Sequence, residues 1–459
     1  MNKQIIQKKF QNIVKNNELY ELMEDLFPIC RSITGDGVRD TLKILKKKIN
    51  LKIIEIPTGT KVFDWKIPLE WNIHDAYVKD SKGNRIIDFK KSNIHILNYS
   101  IPINKKISKN ELKKHLHTLP EKPNSIPYVT SYYKKQWGFC TTHNQLKSIN
   151  DNFYHVKIDS TLKKGALTYG EFLIKGKIPD EILISTYVCH PSLCNDNLSG
   201  IVISAKIAEI LSKTKTYFSY RFIFIPETIG AIAWISKNEK SLSKVKNCLV
   251  ITCAGDDGKF TYKKTKFGNS TIDEIVIDVF KKSTKNIKIK EFFPYGSDER
   301  QFSSPGINIP TGVFMRTQYY EFEQYHTADD NLEFVKNSAL NESLSMVLKI
   351  ISEFESRKQI KEKIKEKIVS KSEDIFININ PKCEPQLGKR KIYRETAKRR
   401  LVGKMKSQDL SEMAIFWILS FSDGNHSLED ISKKSGLSIK LLKKTSKILI
   451  EKKLLKKLI

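Results

Sequence analysis

The stretch EILISTYVCHPSLCNDNLSGIVISAKIAEILSK, residues 181–213, is the clearest indication of the fold class in this sequence. Its first part is an almost unbroken apolar run, which predicts a buried strand, and its last part is apolar at helical spacing. The loop between them carries His190 and Asp196. Open α/β sheets place their ligands in loops at the carboxyl ends of strands. An imidazole and a carboxylate in such a loop form half of a hydrolytic metal site.

The predicted strand and helix belong to a longer alternation of the two element types between about residues 175 and 360. This alternation predicts an α/β fold with a mainly parallel sheet that is covered on both faces. The further strands are YRFIFIP, KNCLVITCAG and NIPTGVFM, and the further helices are TIGAIAWISKN and TIDEIVIDVFKKS.

Two more polar residues complete the predicted site. Glu227 directly follows strand YRFIFIP, and His326 lies in the loop QYHTADDNLEF. A metal-activated hydrolase needs ligands that leave one position of the ion open, and a carboxylate base for the bound water. Each residue alone has an ordinary explanation, such as a turn histidine, a helix-capping aspartate or a first-turn glutamate. Their shared placement at strand ends favours the site.

Three regions of the chain differ in composition and in predicted secondary structure. Residues 1–60 are predicted as helix, loop, helix and strand, and they join residues 171–370 in one discontinuous α/β domain. Residues 61–170 hold short β-like runs with most of the tryptophans, which predicts an inserted, mostly antiparallel β domain. Residues 385–459 contain helix, helix, glycine turn, helix and strand, the order of a winged helix-turn-helix.

The composition gives weaker guidance. The 459 residues carry a net charge of +29, but the lysines are scattered among isoleucine and asparagine, so bulk charge is weak evidence for a polyanion partner. No signal-peptide core and no apolar run of about 18 residues occurs, which predicts a cytoplasmic protein without a membrane span. The seven cysteines lack CxxC spacing and are expected to be free thiols.

Four motifs carry a family resemblance. CHPSLCNDNLSG, PETIGAIAW, YGSDERQF and YHTADDNLEF, in this order, resemble the M28 zinc aminopeptidases. The whole chain, including CRSITGDGVRDTL and WGFC, resembles the DUF4910 aminopeptidase-like group, which has an inserted DUF2172 domain and a carboxyl-terminal winged helix. The resemblance implies an M28-like fold, with a mixed, mainly parallel sheet flanked by helices, and an association with polysaccharide biosynthesis.

The chain departs from the M28 pattern at two ligand positions. Thr228 stands where the family has a second, metal-binding glutamate, and Thr252 or Cys253 stands where it has an aspartate. The two-metal cluster is therefore not expected to be intact.

The candidate ligands that remain predict a site for one metal ion instead of two. His190, Asp196 and His326 are predicted to hold one zinc ion with water in the fourth position. Glu227 is predicted as the general base of a hydrolase that cleaves an amide or peptide-like bond in a peptide-like or amino-acyl small molecule.

Further residues are candidates for substrate binding. Asp298 and Arg300 in YGSDERQF are predicted to line the pocket, where Arg300 suits a substrate carboxylate, and a surface turn is the alternative. Tyr325 beside His326 is a candidate donor to an oxyanion, with aromatic packing as its alternative. Arg31 lies in a loop that suits either an anion-binding turn or a simple helix connection.

The winged helix supports a second hypothesis. Its third helix carries Lys440, Lys443, Lys444 and Lys447, which suit phosphate contacts, but it has no arginine to recognise bases. We therefore favour docking to a protein partner or homo-oligomer formation over nucleic-acid binding. The alternative to a hydrolase is a catalytically inactive or non-peptidase metal-binding protein that acts through its inserted and winged-helix domains.

Overall fold

The computed structural model describes residues 17–360, 374–392 and 407–458. The strands are β1 Lys52–Pro57, β2 Lys61–Val62, β3 Trp65–Lys66, β4 Glu70–Lys79, β5 Arg85–Asp88, β6 Ile103–Ser108, β7 Leu116–His117, β8 Phe139–Cys140, β9 Phe153–Lys163, β10 Ala166–Ile174, β11 Glu181–Tyr187, β12 Ser219–Ile225, β13 Val245–Ile251, β14 Phe260–Lys263, β15 Ile287–Lys290, β16 Thr311–Met315, β17 Ile375–Asn378, β18 Asp423–Ser427 and β19 Leu455–Lys457. The helices are α1 Glu18–Leu26, α2 Asp36–Lys46, α3 Lys109–Lys114, α4 His143–Lys147, α5 Ser199–Ser212, α6 Ile229–Asn238, α7 Thr271–Ser283, α8 Glu299–Phe302, α9 Asn337–Arg357, α10 Ser407–Phe421, α11 Leu428–Ser435 and α12 Ile439–Glu451.

An eight-stranded mixed sheet forms the centre, in the order β1-β10-β12-β11-β13-β16-β14-β15. The four central strands, β12, β11, β13 and β16, are parallel to one another. Every residue of β11 is buried, as its apolar run predicts for a central strand of a covered sheet. The carboxyl ends of these strands therefore meet at one edge, which confirms the α/β fold class.

The two faces of the sheet are covered differently. One face packs against α1, α2, α5, α7 and α9, whose apolar residues form a continuous core with the strands. The other face packs against α6, α8 and residues of the inserted β region, including Trp71 and Ile158. This second core brings the inserted region close to the edge where the parallel strands end.

The inserted region is built on a four-stranded antiparallel sheet, in the order β5-β4-β9-β6. Strand β10, which follows it, enters the central sheet at Ala166 by pairing with β1, so the sheet includes residues before the predicted limit at 171. The predicted limits themselves stay predictions.

Helices α10 to α12 and the small sheet β18-β17-β19 form the winged helix, and β17 lies before the predicted start at residue 385. The winged helix packs on the α/β part of the chain: the ring of Phe416 lies 5.7 Å from that of Tyr295. The segment before α10 also contacts the inserted region, since Arg390 forms a 2.5 Å ion pair with Asp64.

The sequence also predicts a polar, helix-periodic segment at residues 1–20 and a lysine-rich helix near 356–371. Residues 1–16 and 361–373 lie outside the part of the chain that the structure describes, so most of both segments is not described. Among the described residues, no helix has the length and apolar character needed to cross a membrane.

Candidate metal centre

The loop after β11 carries the first two predicted ligands into the protein interior. His190 is 8% exposed and Asp196 is 1% exposed. Asp330, from the loop that also carries His326, accepts hydrogen bonds from the backbone N–H groups of Asn195 and Asp196 at 2.6 and 2.9 Å. The backbone carbonyl of Asp330 accepts a further bond from the N–H of Cys194 at 2.9 Å. Asp330 therefore fixes the path of the ligand loop.

The structure brings His190, Asp196 and His326 together. Nε2 of His326 lies 3.0 Å from Oδ2 of Asp196, and potential ligand atoms of all three residues lie within 4.8 Å of one another. Nδ1 of His190 lies 3.1 Å from the backbone carbonyl of Asp196. A proton on Nδ1 satisfies this contact and leaves the lone pair of Nε2 for a metal. Two imidazoles and one carboxylate in a buried cluster are a donor set that fits zinc.

The carboxylate and the imidazoles of the cluster each stabilise the ionised form of the other. Burial disfavours the charged form of His190, but the carboxylate of Asp196 outweighs this effect and raises the pKa of His190 to about 9. Burial would also raise the pKa of Asp196, yet His190 and His326 hold it well below its usual range. Asp196 is therefore an anion at neutral pH, as a metal-binding carboxylate must be.

Glu227 follows β12 and faces the same space. Its Oε2 lies 3.7 Å from Nε2 of His190, and its side chain is 22% exposed. Burial and the nearby charge of Asp196 raise the pKa of Glu227 to about 7, against the opposing effect of His190. A carboxylate that exchanges its proton near neutral pH and reaches the solvent suits a general base.

The predicted substrate-binding residues lie in different settings. Tyr325 stacks on the ring of His326, with centroids 4.0 Å apart. Asp298 is fully buried and accepts a 2.6 Å hydrogen bond from the N–H of Thr228. Burial and the charge of Glu227 hold the pKa of Asp298 well above its usual range.

Arg300 contacts the winged helix, in the segment between β17 and α10 and in α10 itself. Its Nε donates to a carboxylate oxygen of Glu384 at 2.5 Å. Its guanidinium also lies 5.1 Å from the centre of the Phe416 ring in α10. Glu384 lies 84 positions away in the chain, so sequence reasoning gave no sign of this partner.

The inserted region supplies one wall of the site, which sequence reasoning missed. The ring of Tyr128 meets those of His190 and His326 edge to face, with centroids 5.3 and 5.2 Å away. Its N–H donates to the carbonyl of His326 at 2.8 Å. The aromatic run YVTSYY at 128–133 was the available signal, but β-rich segments bury such residues for packing alone.

The positions that depart from the M28 pattern hold no carboxylate or imidazole. Tyr187 donates a hydrogen bond to Oδ1 of Asp196 and lies 2.6 Å from the hydroxyl of Thr252. Asp256 accepts hydrogen bonds from Asn195 and Thr317, both at 2.7 Å, and so supports the loops.

A thiol lies close to the site. The sulfur of Cys189 and ligand atoms of His190 and Glu227 form a second group within 4.8 Å. The sulfur accepts a hydrogen bond from the N–H of Glu227 at 3.2 Å. Burial holds the pKa of Cys189 well above its usual range, so the neutral thiol is favoured in the absence of a metal.

Arg31 stabilises the loop that carries His190 and Asp196. Its side chain is fully buried, and it donates to the backbone carbonyls of His190 at 2.7 Å and Pro191 at 3.3 Å. The guanidinium of Arg31 therefore binds backbone carbonyls of the ligand loop.

Comparisons with known proteins agree with this architecture. A zinc aminopeptidase from Bacillus subtilis is 13% identical, with a TM-score of 0.54 and coverage of 75% of this chain and 95% of that one. A Clostridium acetobutylicum protein, provisionally named a polysaccharide biosynthesis protein with an aminopeptidase-like domain, is 48% identical over 452 residues, which cover 98% of this chain and 99% of that protein. A crystal structure provisionally described as a peptidase from Clostridium acetobutylicum is 47% identical over 100% of both chains, with a TM-score of 0.76.

The α/β part of the chain therefore has the fold of the Bacillus subtilis zinc aminopeptidase. The model of the domain of unknown function DUF4910 matches residues 20–357, and a winged helix-turn-helix model matches residues 374–457. The chain belongs to the DUF4910 family, which confirms the resemblance seen in its motifs.

Proposed function

We propose that this protein is a zinc-dependent hydrolase of an amide or peptide-like bond. The observation that carries the proposal is the convergence of His190, Asp196 and His326 beside Glu227 at the carboxyl edge of an aminopeptidase-type sheet. The three residues would hold one ion, and Glu227 would be the base. Zinc, when bound at such a centre, polarises a carbonyl oxygen and lowers the pKa of water.

Side chains of the protein would transfer the proton and exclude water from the site. Glu227 accepts a proton from the attacking water and returns it to the leaving nitrogen, which its raised pKa allows near pH 7. Tyr325 and Tyr128 wall the site with aromatic rings and exclude water from the side of the two histidines.

For the substrate we propose a peptide-like or amino-acyl small molecule. The aminopeptidase-type relatives support this class, and the name of the Clostridium acetobutylicum relative supports a link to polysaccharide biosynthesis. Asp298 is proposed to line the inner end of the pocket near Glu227, and Tyr325 to contact the substrate beside His326. Arg300 is proposed to act at the outer end, where Glu384 orients its guanidinium.

The test combines metal analysis with a substrate screen. Protein purified without added zinc should carry about one equivalent, and it should lose this metal when His190 or His326 is changed to alanine. The zinc-loaded protein should hydrolyse a member of a panel of amino-acyl and acylated-sugar amides. Absence of bound zinc under every loading condition would refute the metal site.

A second candidate function uses the winged helix. In α12, Lys440, Lys443, Lys444 and Lys447 are exposed, although Lys443 pairs with Asp374 at 2.9 Å. This lysine-bearing helix suits an acidic protein partner or the phosphates of a nucleic acid. Salt-dependent binding of the full chain to duplex DNA, lost when Lys440, Lys444 and Lys447 become glutamine, would support the nucleic-acid arm. Without DNA binding, docking to protein remains the favoured role.

A further inference from the structure

Tyr187 lies at the end of β11, beneath the ligand loop, and is 2% exposed. Its hydroxyl donates to Oδ1 of Asp196 and lies 2.6 Å from Oγ1 of Thr252. A phenol has a single proton, and Asp196 accepts it. The 2.6 Å contact then requires the Thr252 hydroxyl to donate to the phenol oxygen rather than to Sγ of Cys253, which lies farther away at 3.3 Å. A directed chain of hydrogen bonds therefore runs from Thr252 through Tyr187 to Asp196.

This chain gives the two carboxylate oxygens of Asp196 different surroundings. Oδ1 accepts the phenol proton, and the sulfur of Cys253 lies 3.9 Å from the same atom. Oδ2 instead lies 3.0 Å from Nε2 of His326. Nδ1 of His190, the nitrogen whose proton satisfies the contact with the backbone carbonyl of Asp196, also lies 3.4 Å from Oδ1. The Oδ1 side thus presents a phenol, a thiol and the ring nitrogen of His190 that is not assigned to the metal, whereas Oδ2 faces Nε2 of His326.

We infer that Tyr187 is the positioning residue of the metal centre. Its hydroxyl keeps Oδ1 bonded to the protein and leaves Oδ2 to bind a single zinc ion. Tyr187 acts through Asp196, because a hydrogen bond to a ligating carboxylate orients that ligand before the metal arrives. The inference rests on the proposed zinc site and adds to it the group that selects one ion and one ligating oxygen.

The test compares Tyr187→Phe with a matched control, Tyr262→Phe. Tyr262 is also buried, and its hydroxyl donates to Oδ1 of the buried Asp273 at 2.9 Å, outside the metal centre. Zinc dissociation constants would be measured by competition with a chromogenic chelator, and cobalt(II) absorption would report the coordination. We expect Tyr187→Phe to raise the zinc Kd about 10- to 100-fold and to change the cobalt spectrum. Tyr262→Phe should leave both unchanged, although each variant loses a buried hydrogen bond and melts at a lower temperature.

Four outcomes overturn the inference. Equal zinc affinity in the wild type and Tyr187→Phe would show that the phenol does not position Asp196. Two zinc ions per wild-type chain would show that Oδ1 is not reserved. A wild-type protein that binds no zinc would refute the proposed function itself, and the inference with it. If Tyr187→Phe does not fold, Thr252→Val removes the first donor of the chain at nearly constant volume. That variant should raise the zinc Kd about threefold or more, and an unchanged Kd would also overturn the inference.

Discussion

Asp196 and Glu227 follow neighbouring parallel strands of one sheet, yet their surroundings shift the two pKa values in opposite directions. Burial favours the neutral acid in both. At Asp196 the two histidines outweigh burial, whereas Glu227 also experiences the negative charge of Asp196. Neighbouring charges, and not the carboxyl group itself, therefore suit one residue to metal binding and the other to proton transfer.

The largest effect is expected at Asp196. Asp196→Asn replaces the anionic ligand by a neutral amide, so zinc binding should fall below detection at micromolar metal concentration. Metal analysis after dialysis measures this loss. Asp273→Asn is the control, because Asp273 is equally buried but caps α7. Zinc retained at one equivalent in Asp196→Asn would remove Asp196 from the ligand set.

Substitution of Glu227 should lower the activity but leave the zinc bound, whereas substitution of Asp196 should remove the zinc. Glu227→Gln keeps the size of the side chain but cannot take up a proton, so turnover should fall by about 10²- to 10⁴-fold. The zinc content should remain near one equivalent. Hydrolysis rates on the best substrate of the screen, together with metal analysis of the same sample, measure both quantities. Full activity in this variant would contradict the role of Glu227 as base.

The pKa of His190 predicts a pH dependence of metal binding. Without zinc, His190 has a pKa of about 9 and is protonated at pH 7.5. Zinc needs the neutral imidazole, so binding should release about one proton, and the apparent affinity should fall about tenfold for each pH unit below 9. Calorimetry in two buffers of different ionisation enthalpy counts the released proton. An affinity that is constant between pH 7 and 9 would contradict this assignment.

The smallest effect is expected at Asp330, which supports the loop without belonging to the ligand set. Asp330→Asn keeps one acceptor oxygen but places an N–H₂ group against one of the two backbone N–H donors of Asn195 and Asp196. The loop should loosen, and the zinc Kd should rise about tenfold. Competition with a chromogenic chelator measures the zinc Kd. Asp329→Asn, at the neighbouring position with a side chain that contacts Lys122 and Ser125, is the control. An equal change in both variants would argue against a specific role for Asp330.

Much of the site was predictable, because strand ends can be located from apolar runs. His190, Asp196 and Glu227 each follow a strand whose hydrophobic pattern is clear, and parallel strands bring such positions to one edge. His326 was recognised from its motif, in a loop that follows strand β16.

The supporting residues were harder to predict. Tyr187 stands in an apolar strand, where a tyrosine usually serves packing, and its partner Thr252 is 65 positions away. Asp330 reaches the loop across 135 positions, and Tyr128 comes from the inserted region. Such contacts depend on how separate segments pack.

The sheet, the edge where the site lies and the residue types that suit zinc follow from the amino-acid sequence alone, because periodicity and strand ends are local properties of the chain. Long-range packing sets which oxygen of Asp196 faces His326, which group holds the other oxygen, and why Glu227 exchanges its proton near pH 7. These properties depend on burial and on charges brought within a few ångströms by long-range packing.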